Sequence, residues 1–206
     1  MKIISVENRR KKLSVIRLDD SSELLIDTEI VIEKGLKPGV FIDDPDALLY
    51  SSDLKRAKSR ALWYLSRGDL SEKALADKLK GASFCEKAVQ EAVFRMKELG
   101  LINDEKYAVR LAEYLNLSGH SEKEVYFKLL NKGIPSPLAK EVLENTEFDE
   151  TSKIIKLLKT KYQTKLQTDG GHQKVITALA RKGYSFSDIK DAIKAYNEEI
   201  NTDEDF

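Results

Sequence analysis

Residues 71–79 read SEKALADKL and residues 121–129 read SEKEVYFKL, nearly one phrase written twice at an interval of fifty positions. After another fifty, GHQKVITAL at 171–179 keeps the apolar beats at Val175 and Leu179 and loses the opening Ser-Glu. A fixed period of this length marks a repeat architecture and governs how the rest of the chain is read. Five apolar columns hold register without a gap: Leu75, Val125 and Val175; Leu79, Leu129 and Leu179; Phe84, Ile134 and Tyr184; Val89, Ala139 and Ile189; Val93, Leu143 and Ile193. Amphipathic helices produce some coincident columns by chance. Matched punctuation does not arise that way, and here Lys132-Gly133 answers Lys182-Gly183 while Ser71 answers Ser121.

Within each copy the apolar residues fall four apart, as Leu75 and Leu79 or Val89 and Val93, and so share one helical face. Capping patterns at Ser83-x-x-Glu86, Ser121-x-x-Glu124 and Ser185-x-x-Asp188 mark helix starts, where a serine oxygen accepts an orphan backbone N–H. Each copy resolves into three expected helices: 46–66, 71–80 and 85–98; 103–116, 121–131 and 136–146; 150–165, 171–182 and 186–199. A unit of this size buries little alone, so stacked units should share a core along an elongated, curved body. The first 45 residues obey another period. KIISV, KLSVIRL and ELLIDTE, separated by ENRRKK and DDSS, read as a small antiparallel sheet, and IEKGLKPGVFIDDPD supplies Gly and Pro punctuation before the first long helix. The expected fold is mainly α: a β-rich N-terminal element (1–45), three-helix repeats at 46–102, 103–148 and 149–200, and an acidic tail (201–206).

A chain of 206 residues, 41% hydrophobic, can bury a true core. It contains no apolar run near the ~18 residues of a membrane helix and no secretory h-region, so a cytoplasmic protein without a membrane partner is expected. A monomer is the expected state. The single cysteine, Cys85, cannot close an internal disulfide and reads as a small core residue. His120 and His172 lack metal-ligand spacing. Phosphate-cradling loops, HExxH and nucleophile–histidine motifs are absent from the sequence, which points away from an enzyme and from any cofactor or metal. Asp43, Asp44 and Asp46 around Pro45 read as the acids that complement a helix dipole, and Asn103-Asp104-Glu105 as another helix start.

Thirty-five basic residues balance thirty-five acidic ones, but unevenly along the chain. Residues 151–182 hold eight basic residues and one acid, Asp169; such segregation can build a local positive field at neutral total charge. Three basic surfaces are candidates. On the first long helix, Leu54, Ala57, Ala61 and Leu65 form one face while Arg56, Arg60, Trp63 and Arg67 gather on the other. Either the arginines neutralise phosphates while the indole stacks on a base or anchors a partner, or Trp63 packs beneath the N-terminal sheet with the arginines snorkelling around it. In the third copy Lys153, Lys156 and Lys159 are expected to point away from the stripe of Ile154, Leu157, Leu158 and Tyr162, with Lys174, Arg181 and Lys182 on the next helix. A solvated face is the ordinary reading of such a run, yet the acids that normally intersperse it are missing. The third surface is Arg9, Arg10, Lys11 and Lys12 at the expected hairpin tip.

Four passages, ALWYLSRGDLSEKALADKL at 61–79, ELGLINDEKYAVRLAE at 98–113, LLNKGIPSPLAKEVL at 129–143 and ALARKGYSFSDIKDAI at 178–193, resemble the RecX family, modulators of the RecA recombinase. The resemblance spans most of residues 54–197. It implies tandem three-helix units and a non-enzymatic regulator that binds the RecA filament on single-stranded DNA. It further implies inhibition of ATP hydrolysis, strand exchange and co-protease activity, and direct binding of DNA, single-stranded and also double-stranded. Around YLNLSGHSEKEVYFKL, where the family tends to be basic, this chain offers Leu117, Glu122 and Glu124, so its central unit is expected to face protein. The rival readings are a stand-alone nucleic-acid-binding protein and a protein–protein scaffold.

Overall fold

A computed structural model describes residues 1–9 and 12–204, with side chains to residue 199. Strands β1 (Ile3–Arg9), β2 (Leu13–Leu18) and β3 (Glu23–Asp27) form an antiparallel sheet in that order, with Arg9 opposite Leu13 and Leu13 opposite Asp27. On central strand β2 three consecutive residues, Ser14, Val15 and Ile16, are buried, so both of its faces are covered. Ile3, Ile16, Leu18 and Ile26 build the sheet's core together with Ile30 and Val31 of α1 (Thr28–Glu33) and Leu48 of α2 (Pro45–Leu65). Helix α1 is a departure from the sequence reading, which ran the third strand on to Glu29. The chain turns helical at Thr28 because the Asp27 side chain accepts the Glu29 N–H at 3.0 Å and caps a new helix.

Helix α2 joins the sheet to the helical body. Its start agrees with the acids read around Pro45: Asp44 accepts the Ala47 N–H at 2.8 Å, Pro45 takes the first position, and Asp46 lies in the first turn. Leu48 belongs to the sheet's core, whereas Ala57 and Ala61, both fully buried, belong to a second core with α3 (Glu72–Lys80) and α4 (Glu86–Glu98). Between them lies Ser52, also fully buried, whose oxygen accepts the Asp27 N–H at 2.8 Å. The second copy is α5 (Asp104–Leu117), α6 (Glu122–Asn131) and α7 (Ser136–Glu144) around Val125, Leu129 and Ile134. The third comprises α8 (Glu150–Leu157), a π-helical turn (Leu158–Tyr162), α9 (Gln163–Leu166), α10 (Gly171–Arg181) and α11 (Phe186–Glu204) around Ile154, Val175, Leu179 and Tyr184. The chain divides into two compact units, Met1–Asn103 and Asp104–Phe206.

The fifty-residue columns are the cores of the three copies. Leu75, Val125 and Val175 are fully buried, as are Leu79, Leu129 and Leu179, and each leucine so placed contributes about 1.5–3 kcal/mol of burial. Ser71, Ser121 and Ser185 cap their helices by accepting the N–H of Ala74, Glu124 and Asp188 at 3.1, 3.2 and 3.1 Å. The cap expected at Ser83 does not form. Ser83 adopts a left-handed φ of 62° and α4 begins beyond Cys85, whose own N–H donates to Asp53 Oδ2 of α2 at 2.9 Å. A carboxylate from a neighbouring helix holds the residue before α4, which begins without a side-chain cap. The single helix expected at 150–165 is interrupted by the π-turn, where Leu158 and Tyr162 stand fifty positions after the small Ala108 and Ala112.

Candidate nucleic-acid and partner interface

On α2, beyond the sheet, the aromatic and cationic side chains interleave. The Arg67 guanidinium lies 4.0 Å from the Trp63 ring centroid, and Arg60 lies 4.8 Å from Trp63 and 5.3 Å from Tyr64. Lys78, from α3, stands 5.3 Å from Tyr64, and the two rings meet edge-on at 5.1 Å. Trp63 is 42% exposed. It therefore does not pack beneath the N-terminal sheet: that core is already filled by α1 and Leu48, and fifteen residues of helix set Trp63 about 22 Å further along the axis. Cation–π contacts at exposed sites are worth about 0.5–1 kcal/mol each, enough to hold the guanidiniums near the rings while leaving their outer N–H donors to solvent. Among the described residues no carboxylate lies within ion-pair distance of Arg60, Arg67 or Lys78.

Arg56 shares the helical face but has a different environment. Its side chain is 23% exposed, bonds Asp53 Oδ1 at 3.3 Å and covers Phe84 at 5.2 Å. Asp53 thus joins Arg56 on one oxygen and the start of α4 on the other. At the hairpin, Arg9 is exposed at the end of β1, and Lys12, at φ 62°, pairs with Glu29 at 3.7 Å. Lys55 holds the same carboxylate at 2.7 Å and draws the Glu29 carboxyl below its ordinary range, with Lys12 adding to the effect. Arg10 and Lys11 lie outside the described residues, as do the side chains of the acidic tail.

In the third copy the expected lysine row separates. Lys153 does not point away from the apolar stripe: its side chain is 13% exposed, its ammonium donates to His120 O at 3.1 Å and Glu150 Oε1 at 3.0 Å, and it sits 4.5 Å from the Phe148 ring. Glu150 also accepts the Glu122 N–H at 3.1 Å. Two further bonds join the second copy to the third. The Ser121 hydroxyl donates to Lys182 O at 2.6 Å, and the Tyr184 hydroxyl donates to Gly119 O at 3.0 Å. Burial, aided by the charges of Glu150 and Glu124, pushes the Tyr184 phenol up to about 12, so it remains a donor at any physiological pH. Gly183, at φ 97°, permits this approach, since a Cβ there would stand 2.7 Å from Ser121 Oγ. Lys156 and Lys159 are exposed, but Glu199 of α11 pairs with Lys159 and supplies the acid that the linear stretch lacks. Lys174 and Arg181 are exposed on α10, and Lys182 just beyond it is half-buried.

The sequence reading passed over Tyr64, Lys78, Lys55 and Glu150. Tyr64 could have been found from its place beside Trp63 and four residues after Arg60. Lys78, Lys55 and Glu150 reach their partners across gaps in the chain that no local pattern reports. The described residues contain no cluster of three or more His, Cys, Asp or Glu suited to a metal ion, and none of their helices is long and apolar enough to cross a membrane.

Fold and surface together define a tandem three-helix repeat protein with a small N-terminal β element and an exposed cationic and aromatic cluster at the end of α2. A family model described as RecX, first three-helix domain, matches residues 57–96. The regulatory protein RecX of Caldanaerobacter subterraneus subsp. tengcongensis is 31% identical over 178 residues, covering 85% of this chain and 89% of that protein. That of Bacillus subtilis is 28% identical over 208 residues, covering 98% and 78%. A crystal structure of regulatory protein RecX, 25% identical, matches with a TM-score of 0.63 over 92% of this chain and 98% of its own. The chain belongs to the RecX family of regulatory proteins.

Proposed function

We propose that this protein is a non-enzymatic regulator that binds a RecA recombinase filament on single-stranded DNA and inhibits its ATP hydrolysis, strand exchange and co-protease activity. Family membership supports the partner. The observation that carries the binding mode is the group of exposed Arg60, Trp63, Arg67 and Lys78 around a half-buried Tyr64, cations without described carboxylate partners held beside aromatic rings. Such a surface recognises phosphates through charge-assisted hydrogen bonds and bases or apolar protein groups through its rings. Each contact is weak alone. A repeat protein touching several protomers and the DNA at once multiplies them through effective concentration. The protein acts as a cytoplasmic monomer and needs no cofactor.

The test is single-stranded-DNA-dependent ATP hydrolysis by the recombinase of the same organism, titrated with this protein well below one per recombinase monomer. Strong inhibition at those ratios supports a filament regulator. No effect at saturating, folded protein removes the recombinase and leaves stand-alone nucleic-acid binding as the reading of the same surface.

A further inference from the structure

The second and third copies enclose an open cleft of about 400 Å³ between α6 and the end of α10. Lys123, Phe127, Lys128 and Asn131 line it from α6, and Arg181 and Lys182 from the other side. Lys123, Phe127 and Asn131 are four apart and so form one stripe, a cation, a ring and an amide at successive turns about 5.4 Å in pitch. Phe127 is 51% exposed, although it meets Tyr126 edge-on at 5.6 Å. Its ring is thus open to solvent in a cleft whose other lining side chains include Lys123, Lys128, Arg181 and Lys182.

One carboxylate lies in this cleft, that of Glu124, and it is already engaged: His120 Nδ1 stands at 2.9 Å and Lys128 at 3.7 Å. The field of the cleft is therefore positive. Its walls are also fixed relative to each other, because the Ser121 bond to Lys182 O and the close passage of Gly183 hold the end of α10 against the start of α6. A concave, rigid, positive site with an exposed ring in its lining suits a flexible polyanion that carries flat apolar groups between its charges.

We propose that this cleft binds single-stranded nucleic acid, with a base stacked on Phe127 and neighbouring phosphates held by Lys123, Arg181 and Lys182, and Asn131 offering its amide to the base or sugar. The central copy then contributes to nucleic-acid binding in spite of its excess of acids: Glu124 is engaged by His120 and Lys128, and Glu122 lines an adjoining groove, beside Glu150 and Tyr126, that shares Lys123 and Gly183 with this cleft. The site extends the proposed function but does not depend on a recombinase, so it can fail while filament regulation stands.

The test uses the full chain and fluorescein-labelled oligothymidylate without recombinase, read by anisotropy across a salt series. Phe127→Ala should weaken binding by roughly five- to a hundred-fold, the range expected for loss of one stacked base, while Phe127→Trp should retain it. Lys123→Gln with Arg181→Gln should weaken binding and lower the salt slope by about 0.7 for each phosphate no longer neutralised. An abasic strand should bind the parent protein weakly and make Phe127→Ala silent. Thermal melting of each variant separates misfolding from weakened binding, and Phe127→Trp serves as the folded control. Parent-like affinity in Phe127→Ala, or equal binding of abasic and base-bearing strands, overturns the stacking site. Parent-like affinity of the charge variant for DNA, with loss of binding to an acidic peptide such as polyglutamate, overturns nucleic acid as the occupant and assigns the cleft to an acidic protein segment.

Discussion

Arg67 and Lys153 are both cations set over an aromatic ring, 4.0 Å from Trp63 and 4.5 Å from Phe148, yet they have opposite fates. Arg67 follows a helix end in solvent with no described carboxylate within ion-pair distance, and its ring is 42% exposed. Lys153 is 13% exposed, and its ammonium is taken by a carbonyl of the second copy and a carboxylate one turn before it on α8. The difference is one of availability: the fold leaves the Arg67 guanidinium without a described carboxylate and commits the Lys153 ammonium. The same division runs through a single helical face in α2, where Arg56 is tied to Asp53 and Arg60 is not.

The comparison is broken most severely at Lys153. Lys153→Met should destabilise the protein by about 3 kcal/mol, because Glu150, itself 15% exposed, loses its ammonium partner; urea denaturation measures this, and a change within about 0.5 kcal/mol, the range of ordinary surface substitutions, would return Lys153 to the surface. Gly183→Ala attacks the same joint through the backbone and should cost about 1–3 kcal/mol, from strain at φ 97° and the approach to Ser121. At the exposed cluster, Arg60→Glu with Arg67→Glu should leave the melting temperature nearly unchanged and weaken filament inhibition or DNA binding by about tenfold, about 1.4 kcal/mol. Adding Arg56→Glu to that pair should instead unfold part of the first unit, because it sets a second carboxylate against Asp53.

The smallest effect concerns Glu124. Burial raises its carboxyl, but the hydrogen bond and charge of His120 and the charges of Lys128 and Lys182 outweigh this, and the net shift is downward from 4.5. A depressed folded value stabilises the protein above the unfolded value, and the contribution is lost as pH falls through the lower, folded one. Glu124→Gln should therefore lower stability at pH 7 by less than about 1 kcal/mol, the group being partly exposed, and the loss should vanish in the acid limb. Urea midpoints at neutral pH and at a pH below the folded value measure the difference.

Much of the helical body was legible in the columns. Leu75, Val125 and Val175 are equivalent in the chain and in the core because a packed three-helix unit allows few positions to be buried, and repetition keeps them in step. The caps at Ser121 and Ser185 were legible for the same local reason. Ser83 failed because the chain takes a left-handed turn there and a carboxylate on another helix, that of Asp53, holds Cys85 at the helix start. Helix α1 was missed because its capping residue, Asp27, also ends a strand, and a run of Ile and Val satisfies either period. Of the candidate basic residues, Arg60 and Arg67 sit where the helical wheel places them, whereas Lys153 does not, since a wheel drawn on one helix cannot know what the next copy brings.

What the sequence determined by itself was the set of positions that must be dry: the fifty-residue period, the serine punctuation and the alternating leader fix the repeat body and its sheet, because hydrophobic burial acts through local spacing. What only the tertiary structure decided was which charges remain available. Pairing depends on the separation of groups from different helices, as with Lys153 and His120, Lys159 and Glu199, or Asp53 and Cys85, and a Coulomb or hydrogen-bond interaction falls off over a few ångströms that no spacing along the chain records.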